Sequence, residues 1–440
     1  MTALDNVRVF VSFPDAKYTE KLVHQAIHHL SPNIRIHSHL VDCLGAQHVL
    51  QWSTYDEISH EATMARPQDV LSSSYVIRKS LIRKHFLHRS VKTYLAKNPT
   101  SRLGTSVPQT WNVEIVHADE LDELWMDDLY DLAQLLPDES NDAEEDKWFI
   151  LKPGMADRGM GIRLFKSKAG LQAIFDAFNS DEEDSEGEES DTNVVTSQLR
   201  HFVIQEYLPN PLLIDPRESM GKVSALEGRK FHLRAYCVSQ GALKVFLFPR
   251  ILALFSSAAY QPPSDKEEGS SQLSAHLTNT ALQESRGEEN VRLLQELVGS
   301  HIFGREQNHG RSFTQADVDW IIDEVVNCLG EVFKAGLTSA IHFQTLPNAF
   351  ELFGADFLVT YSPEGEGGIP FQVHLLEINA EPAIHLTGPR LGWILEELFR
   401  EIADTCVGPF FTHTPREETG DAPGRLRQCL EIQVRGTTAW

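Results

Sequence analysis

The sequence predicts a mixed fold of helices and strands (α/β or α+β), and three observations support this class. Its 440 residues are 41% hydrophobic, which is enough to build two or three lobes around one or two cores. A β-rich run at 7–13, an amphipathic segment at 16–30 and a second β-rich run at 34–41 open the chain, as in an α/β lobe. Further apolar strand-like runs occur together with long helical patterns at 314–336 and 391–407.

Changes in composition predict four regions, which are an N-terminal α/β lobe (1–70), a helical central region (71–146), a strand-rich region (147–408) and a polar, loosely ordered C-terminal tail (409–440). We expect an acidic insert at 179–198 inside the third region. Residues 181–191 contain eight Asp or Glu, and such a segment is too polar to bury a core, so we predict disorder. A solvated loop is the simpler interpretation, and phosphorylation of Ser185 or Ser190 is the alternative.

The charge balance excludes some function classes. With 39 basic and 63 acidic residues the net charge is −24, which argues against direct binding of nucleic acid, because phosphates require clustered Lys and Arg. Residues 71–105 are the exception, since they contain eight Lys or Arg and no Asp or Glu. An anionic partner is therefore expected to dock on this segment.

Cysteine spacing and hydropathy predict a cytoplasmic protein. The five cysteines are scattered and never in Cys-x-x-Cys spacing, which argues against disulfides or a zinc site and for a reducing compartment. The most apolar stretch, 242–260, is interrupted by Lys244, Pro249 and Arg250. It is therefore predicted to form buried strands and not a membrane span.

The first segment with a chemical pattern is WFILKPGMADRGMGIRLF at 148–165. Lys152 ends an apolar strand, and Gly154, Gly159 and Gly161 let backbone N–H groups approach an anion closely. The segment lacks the Lys and Ser or Thr of a Walker A loop and the third glycine of a dinucleotide fingerprint. A purely structural hairpin is the alternative interpretation.

The second pattern joins residues 202–214 and 228–238. The apolar strand that opens the first run ends in four residues that we expect to face a purine edge, namely Gln205, Glu206, Tyr207 and Leu208. In the second run, strand alternation places Lys230, His232 and Arg234 on one face. Three basic side chains on one face favour a phosphate or carboxylate ligand, although an exposed basic edge strand is the alternative. Arg250 is a further cation that emerges from a buried strand.

The third pattern is a set of oxygen ligands on two apolar strands. Asp356 lies inside the run FELFGADFLV, and Glu377 and Asn379 lie two residues apart in VHLLEINAEPAI, hence on one face. Buried carboxylates are costly unless they are paired or bound to a metal, so the set predicts Mg²⁺, with pairing to nearby arginines as the alternative. Cations, a glycine-rich loop and a magnesium site together indicate phosphoryl transfer.

Seven ordered motifs resemble the tubulin tyrosine ligase-like family, in its fungal form. They span about residues 70 to 400 and comprise RKSL (78–81), LKPG with RGMGI, QEYLPNPLLI, RKFHLRAY, HLTN, ELFGADFLV and LLEINAEP. The resemblance implies an ATP-grasp fold over the region 147–408, with ATP between two sheets, a preceding α/β lobe, and ATP and Mg²⁺ as cofactors.

The resemblance also implies roles for individual residues. Lys79, Lys152 and Lys230 would contact phosphates or nucleotide, and Gln205 to Leu208 would line the adenine pocket. Asp356, Glu377 and Asn379 would hold magnesium, with Glu377 also catalytic. Arg234 and Arg250 would bind the carboxylate substrate or the acyl phosphate. His232 stands at an ATP-binding position where the family usually has Asp, and Glu206 stands where Lys is frequent.

The implied reaction has two steps, in which a carboxylate attacks the γ-phosphate of ATP and an amine then displaces phosphate from the acyl phosphate. The leading prediction is addition of free tyrosine to the acidic C-terminal tail of tubulin. One alternative is the same chemistry on another acceptor, including glutamylation. A second alternative is an ATP-binding module with a protein partner in an RNA granule, or P-body. No membrane association is expected.

Overall fold

The computed structural model confirms a mixed architecture of helices and strands. It describes residues 3–115, 117–136, 147–154, 161–183, 201–221, 225–264, 275–276, 278, 290–304, 309–361, 370–414 and 424–434. The strands of this part of the chain form one parallel sheet of four strands, one antiparallel sheet of four and one larger sheet of nine.

The N-terminal lobe is a parallel sheet with helices between its strands. Its strands, in spatial order, are β2 (Arg35–His37), β1 (Val7–Ser12), β3 (His48–Ser53) and β4 (Val70–Ser72). Its helices are α1 (Lys17–Leu30), α2 (Val41–Leu44) and α3 (His60–Ala65). Because β1 and β3 are buried on both faces, they appear in the sequence as continuous apolar runs. The predicted α/β lobe is present, and it extends two residues beyond 70, to the end of β4.

The central region supplies helices and one strand. The basic segment forms α4 (Lys79–Ile82), α5 (Lys84–Lys97) and α6 (Leu103–Ser106). β5 (Thr110–Glu114) follows and joins the second sheet, so the helical region predicted for 71–146 also contains a strand. The acidic stretch after 117 forms two single helical turns, α7 (Leu121–Leu124) and α8 (Tyr130–Ala133).

The second sheet is antiparallel and small. Its spatial order is β5, β8 (His201–Glu206), β6 (Phe149–Pro153) and β7 (Arg163–Phe165), and α9 (Lys168–Glu183) follows β7. The first residues of the insert predicted at 179–198 are helical, because α9 continues to Glu183. Buried apolar residues, among them Phe175 and Phe178, hold this helix on the sheet. Residues 184–200 lie outside the described part of the chain.

The third sheet is the core of the molecule. Its strands are β9 (Leu213–Ile214), β10 (Arg229–Gln240), β11 (Lys244–Phe255), β12 (Val291–Leu293), β13 (His301–Phe303), β14 (His309–Ser312), β15 (Phe350–Tyr361), β16 (Phe371–Ala380) and β17 (Arg427–Glu431). The long strands lie in the order β11, β10, β15, β16. This order determines which side chains meet at the site.

Helices cover both faces of the third sheet. On one face lies α10 (Gln315–Leu337), which begins at a capping box between Thr314 and Asp317 and buries a stripe at helical spacing. On the other face, α11 (Gly392–Ile402) packs together with the N-terminal lobe in one continuous core. A π-turn and α12 (Gly408–Thr412) follow α11. The lobe predicted for 1–70 therefore shares much of its core with the third sheet. It also keeps one small cluster of its own, formed by Phe10, Cys43, Val49 and Val70.

The C-terminal region differs from the polar tail predicted for 409–440. β17 pairs with β11, and its Leu430 is buried in the main core. The sequence signal was weak because one strand with a single buried side chain has little apolar periodicity.

Two further findings concern the membrane and cysteine predictions. Among the described residues, no helix combines the length and apolar character that a bilayer span requires. All five cysteines are unpaired, and four of them are buried.

Candidate active site

The register of three neighbouring strands places the predicted charged residues side by side. Arg234 on β10 lies directly opposite Asp356 on β15, which lies directly opposite Glu377 on β16. Gly354 and Asn379 form the pair two residues further along the same strands, so both rows face the same side of the sheet. The structure therefore brings the three predicted metal ligands together with Arg234.

The side of the sheet that carries the charged row is polar because the apolar side chains of β10 point to the other side. Phe231 and Leu233 point into the main hydrophobic core, which α10 covers. Lys230, His232 and Arg234 alternate with them and point to the other side, as the sequence predicts. The two apolar side chains fix the register, because a slip of one residue would bury the three basic groups in the core.

Arg234 and Asp356 form a bidentate ion pair. Nε of Arg234 lies 2.5 Å from Oδ1 of Asp356, and Nη2 lies 3.0 Å from Oδ2. Burial would lower the pKa of Arg234, but the Asp356 carboxylate outweighs burial and raises it. The pair uses two guanidinium nitrogens and leaves Nη1 for a second anion.

Glu377 is held by a lysine from another element. Nζ of Lys84, at the start of α5, lies 3.1 Å from Oε2 of Glu377. Burial would raise the pKa of Glu377, but Lys84 and Lys152 outweigh it and hold this pKa well below its usual range. Asn379 donates its amide to Oε1 of Glu377 and to Oδ2 of Asp356, at 3.2 Å each. The amide therefore bridges the two carboxylates.

Lys152 reaches the site from the second sheet. Its Nζ donates to Oε1 of Gln205 on the neighbouring strand β8 at 2.7 Å. Burial lowers the pKa of Lys152 to about 8, although Glu377 opposes this. Lys152 and Gln205, predicted as two separate ATP contacts, are thus one hydrogen-bonded pair.

Lys230 is the second lysine of the site, and it is buried. Its Nζ donates to the hydroxyl of Tyr207 at 3.2 Å and lies 4.5 Å from the centre of that ring. The same hydroxyl is 2.8 Å from Nδ1 of His276. Burial, together with the charge of Lys152, lowers the pKa of Lys230 to about 7. Within the described part of the chain, neither lysine forms an ion pair with a carboxylate.

His232 lies between the basic and the acidic groups. Its Nδ1 is 2.6 Å from Oγ1 of Thr278, and its Nε2 is 3.8 Å from Oδ1 of Asp356. Burial lowers the pKa of His232, and Arg234 adds to this against the opposing effect of Asp356. The imidazole is therefore neutral near pH 7, and its buried Nε2 lacks a hydrogen-bond partner among the described residues.

The predicted adenine segment is only partly free to bind a base. The backbone N–H of Glu206 donates to Gln109, and that of Tyr207 donates to Trp148. Leu208 is the second residue beyond the strand, and no backbone acceptor for its N–H is found among the described residues. If a purine edge binds here, Leu208 is therefore the residue with a backbone donor available.

The described part of the glycine-rich segment consists of its two ends. A Cβ on Gly154 would lie 2.9 Å from the carbonyl oxygen of His201, so only glycine fits there. Gly161 has a φ of +71°, which favours glycine as well. Gly159 lies outside the described residues.

Two predicted site residues lie elsewhere. Lys79 is exposed at the start of α4, whereas Lys84, five residues later, contacts Glu377. Arg250 forms a bidentate ion pair with Glu397 on α11 and stacks 4.6 Å from the ring of Trp393. The roles predicted for Lys79 and Arg250 remain predictions, and neither residue makes a contact in the structure that supports them.

Three residues of the site were missed by the sequence reasoning. The sequence identified Lys84 only as one of the eight basic residues of 71–105. The one feature that could have distinguished it is its position at the start of a helix. His276 and Thr278 belong to HLTN, which has no interpretable spacing. They reach the site because this segment contacts Tyr207 and His232.

The residues present fit magnesium and ATP. Two carboxylates and an amide lie within hydrogen-bonding reach of one another, which is the donor set that Mg²⁺ accepts from a protein. Lys152 and Lys230 have no carboxylate in an ion pair with them among the described residues, and phosphates would supply the missing negative charge. Among the described residues, no cluster of three or more His, Cys, Asp or Glu has metal-binding geometry, so the fit depends on the Asn379 amide as third ligand.

We expect the ionisation of Lys230 to make the nucleotide-free protein more stable as the pH rises from 7 to about 9. The folded protein releases the Lys230 proton near pH 7, whereas the unfolded chain keeps it up to the ordinary pKa of 10.5. Since the unfolded state binds more protons in this window, the free energy of unfolding rises with pH, by at most about 1.4 kcal/mol per unit. Urea denaturation at pH 7, 8 and 9 should give a steeper rise for wild type than for Lys230→Met. Equal slopes would show that Lys230 is not the group responsible.

Comparison with known proteins gives a consistent set of relatives. The model of the tubulin-tyrosine ligase family matches residues 62–415. A protein of Schizosaccharomyces pombe described as "Probable tubulin--tyrosine ligase" is 37% identical over 403 residues, covering 88% of each chain. "Probable tubulin--tyrosine ligase PBY1" of Saccharomyces cerevisiae is 35% identical over 440 residues, covering 94% of this chain and 54% of that protein.

A solved structure shares the architecture. The crystal structure of the C-terminal domain of K. lactis Pby1 superposes with a TM-score of 0.67 and 29% identity, covering 97% of this chain and 100% of that one. That protein is described as an ATP-grasp enzyme interacting with the mRNA decapping enzyme Dcp2. The likeness confirms the ATP-grasp fold.

Proposed function

The chain belongs to the tubulin-tyrosine ligase family of ATP-grasp ligases, and we propose that it adds tyrosine to the C-terminal tail of tubulin. The observation that carries a ligase function is the row of Arg234, Asp356 and Glu377. It is faced by Lys152 and Lys230, and neither lysine forms an ion pair with a carboxylate among the described residues. Carboxylates that can hold Mg²⁺ beside lysines that can bind phosphates are the groups that phosphoryl transfer from ATP requires.

Phosphate binding falls to the lysines. Lys152 and Lys230 approach from two different sheets, and burial lowers the pKa of both, so an anion placed between them raises the pKa of each again. The triphosphate of ATP supplies that anion. Gln205 orients Lys152 through the 2.7 Å hydrogen bond, and Tyr207 orients Lys230.

Asp356, Glu377 and Asn379 are the residues that would hold Mg²⁺, which supplies charge neutralisation on the phosphate oxygens. Arg234 keeps Asp356 in place through two hydrogen bonds. Lys84 does the same for Glu377. Both carboxylates are thus preorganised before any ligand arrives, which lowers the reorganisation needed during the reaction.

The reaction balances in two steps. An oxygen of the tail carboxylate bonds to the γ-phosphorus of ATP while the bond to the β,γ-bridging oxygen breaks, which gives ADP and an acyl phosphate. The amino nitrogen of tyrosine then bonds to the carbonyl carbon, the carbon–oxygen bond to phosphate breaks, and the nitrogen loses its proton to solvent. Nη1 of Arg234 is the donor proposed for the anionic acceptor group, and proximity of the bound reactants supplies much of the rate.

The proposal predicts a mass gain on a tubulin tail peptide. After incubation with the protein, Mg-ATP and tyrosine, mass spectrometry should show the addition of one tyrosyl residue, which requires both ATP and magnesium. Parallel reactions with glutamate in place of tyrosine test the alternative amino acid. Transfer of glutamate alone would replace the tyrosine assignment and keep the ligase chemistry.

A second candidate function is favoured by the similarity to a protein that interacts with Dcp2. In this view the chain is an ATP-binding module of a cytoplasmic RNA granule, and Glu377 serves nucleotide binding only. Calorimetric titration with a purified fungal Dcp2 distinguishes the two functions. Tight binding that is equal in wild type and Glu377→Gln, without transfer of any amino acid to the tail peptide, favours the module.

A further inference from the structure

The carboxylate of Glu381 connects the metal-ligand strand to the N-terminal lobe. Glu381 is the first residue after β16, two positions beyond Asn379. Its φ is +49°, a left-handed conformation that costs a residue other than glycine on the order of 1 kcal/mol. Its Oε1 accepts a hydrogen bond of 2.9 Å from the backbone N–H of Tyr55, which follows β3 in the first sheet.

Tyr55 is itself fixed in place by several contacts. Its hydroxyl donates to the carbonyl of Val76 at 2.8 Å, and the guanidinium of Arg78 lies 3.9 Å from its ring. Nε of Arg78 lies 2.6 Å from Oε1 of Glu351, which is buried on β15. The contacts thus run from the end of β16 through the N-terminal lobe and return to β15, the strand that carries Asp356.

The left-handed conformation of Glu381 also directs the chain so that the next residue, Pro382, packs on Gly354 beside Arg234. A Cβ on Gly354 would lie 2.9 Å from Cβ of Pro382 and 3.3 Å from Cδ of Arg234. Pro382 therefore packs over the glycine that pairs with Asn379. If the backbone at Glu381 changed its conformation, Pro382 would move away from Gly354 and Arg234.

We propose that Glu381 is a positioning residue for Glu377 and Asn379, and that Tyr55 of the N-terminal lobe holds it, with Arg78 of the central region packed against Tyr55. The left-handed conformation persists because the hydrogen bond to Tyr55 and the packing of Pro382 offset its cost. This inference rests on the proposed function, because it concerns the ligands of a magnesium ion. It assigns the first lobe a part in the geometry of the site, in addition to its part in the shared core.

Three substitutions at Glu381 separate positioning from backbone strain. Glu381→Gln keeps an oxygen acceptor for Tyr55, Glu381→Ala removes it, and Glu381→Gly removes it while relieving the left-handed φ. We expect the magnesium concentration for half-maximal binding of a non-hydrolysable ATP analogue to rise about tenfold in the Ala and Gly variants, equivalent to about 1.4 kcal/mol. It should stay within about twofold of wild type in the Gln variant.

Two readouts besides activity decide the outcome. Calorimetry measures magnesium-dependent binding of the analogue, and hydrogen exchange of the segment 371–384 without metal should be faster in the Ala and Gly variants than in Gln. Glu296→Ala, which breaks an ion pair to Arg390, is the matched control and should leave both unchanged. Ala and Gly variants with wild-type magnesium dependence and exchange would overturn the proposal. If wild type itself binds the analogue without any need for magnesium, the proposed function fails as well.

Discussion

Glu377→Gln should lower the rate of amide formation by about 10³-fold while leaving the protein folded and able to bind nucleotide. The change removes one negative charge from the magnesium site and keeps the shape of the side chain. An electrostatic group of this kind typically contributes 10²–10³-fold to the rate. Turnover is measured with tail peptide, tyrosine and Mg-ATP, and nucleotide affinity by calorimetry.

The same substitution should strengthen nucleotide binding in the absence of magnesium. In wild type, Glu377 is paired to Lys84 and also attracts Lys152, so it competes with the phosphates for both ammonium groups. Without its charge, both lysines are more available to ATP. A variant that loses turnover but gains metal-free affinity shows that Glu377 acts on the metal and not on folding.

The control for this variant is Glu331→Gln. Glu331 is also held by a lysine, since Nζ of Lys334 lies 2.8 Å away, and it accepts hydrogen bonds from Tyr94 and Ser101. It lies on α10, away from the row of charged residues, so turnover should not change. If Glu377→Gln kept turnover within about threefold of the control, the magnesium assignment would be wrong.

Strand alternation and register explain why much of the site was predictable. The pattern of β10 placed Lys230, His232 and Arg234 on one face without any tertiary information, because the period of a strand is two. Glu377 and Asn379 followed from the same rule on β16. The sequence could not show that Asp356 lies opposite both Arg234 and Glu377, because this depends on the register between paired strands. Arg234 and Asp356 are more than 100 residues apart in the chain.

The parts of the site that the sequence could not predict depend on contacts between elements that are distant in the chain. Lys84 and Lys79 share one basic segment, and only the packing of α5 shows that Lys84 meets Glu377 while Lys79 is exposed. Likewise, the sequence could not show that Arg250 forms an ion pair, because its partner Glu397 lies on α11, about 150 residues later in the chain. A cation next to a buried strand is a weak signal, because a structural ion pair and a substrate contact have the same sequence pattern.

The second large effect is expected for Asp356→Asn, on stability as well as activity. Arg234 and Asp356 are largely buried and form two hydrogen bonds. Removing one partner of a buried pair leaves an uncompensated charge and typically costs 3–5 kcal/mol. We therefore expect the free energy of unfolding of the nucleotide-free protein to fall by about 3 kcal/mol, measured by urea denaturation, with turnover lost.

The double variant Arg234→Met, Asp356→Asn separates these two effects. It removes both charges, and replacing a buried pair by uncharged side chains is often close to neutral for stability, so most of the lost free energy should return. Turnover should not return, because the magnesium ligand and the anion donor are both absent. A double variant as unstable as Asp356→Asn would show that the loss arises elsewhere, for example from the hydrogen bond that Asn379 donates to Asp356. Recovery of stability without activity would show instead that the pair is retained for chemistry and that the fold itself does not require it.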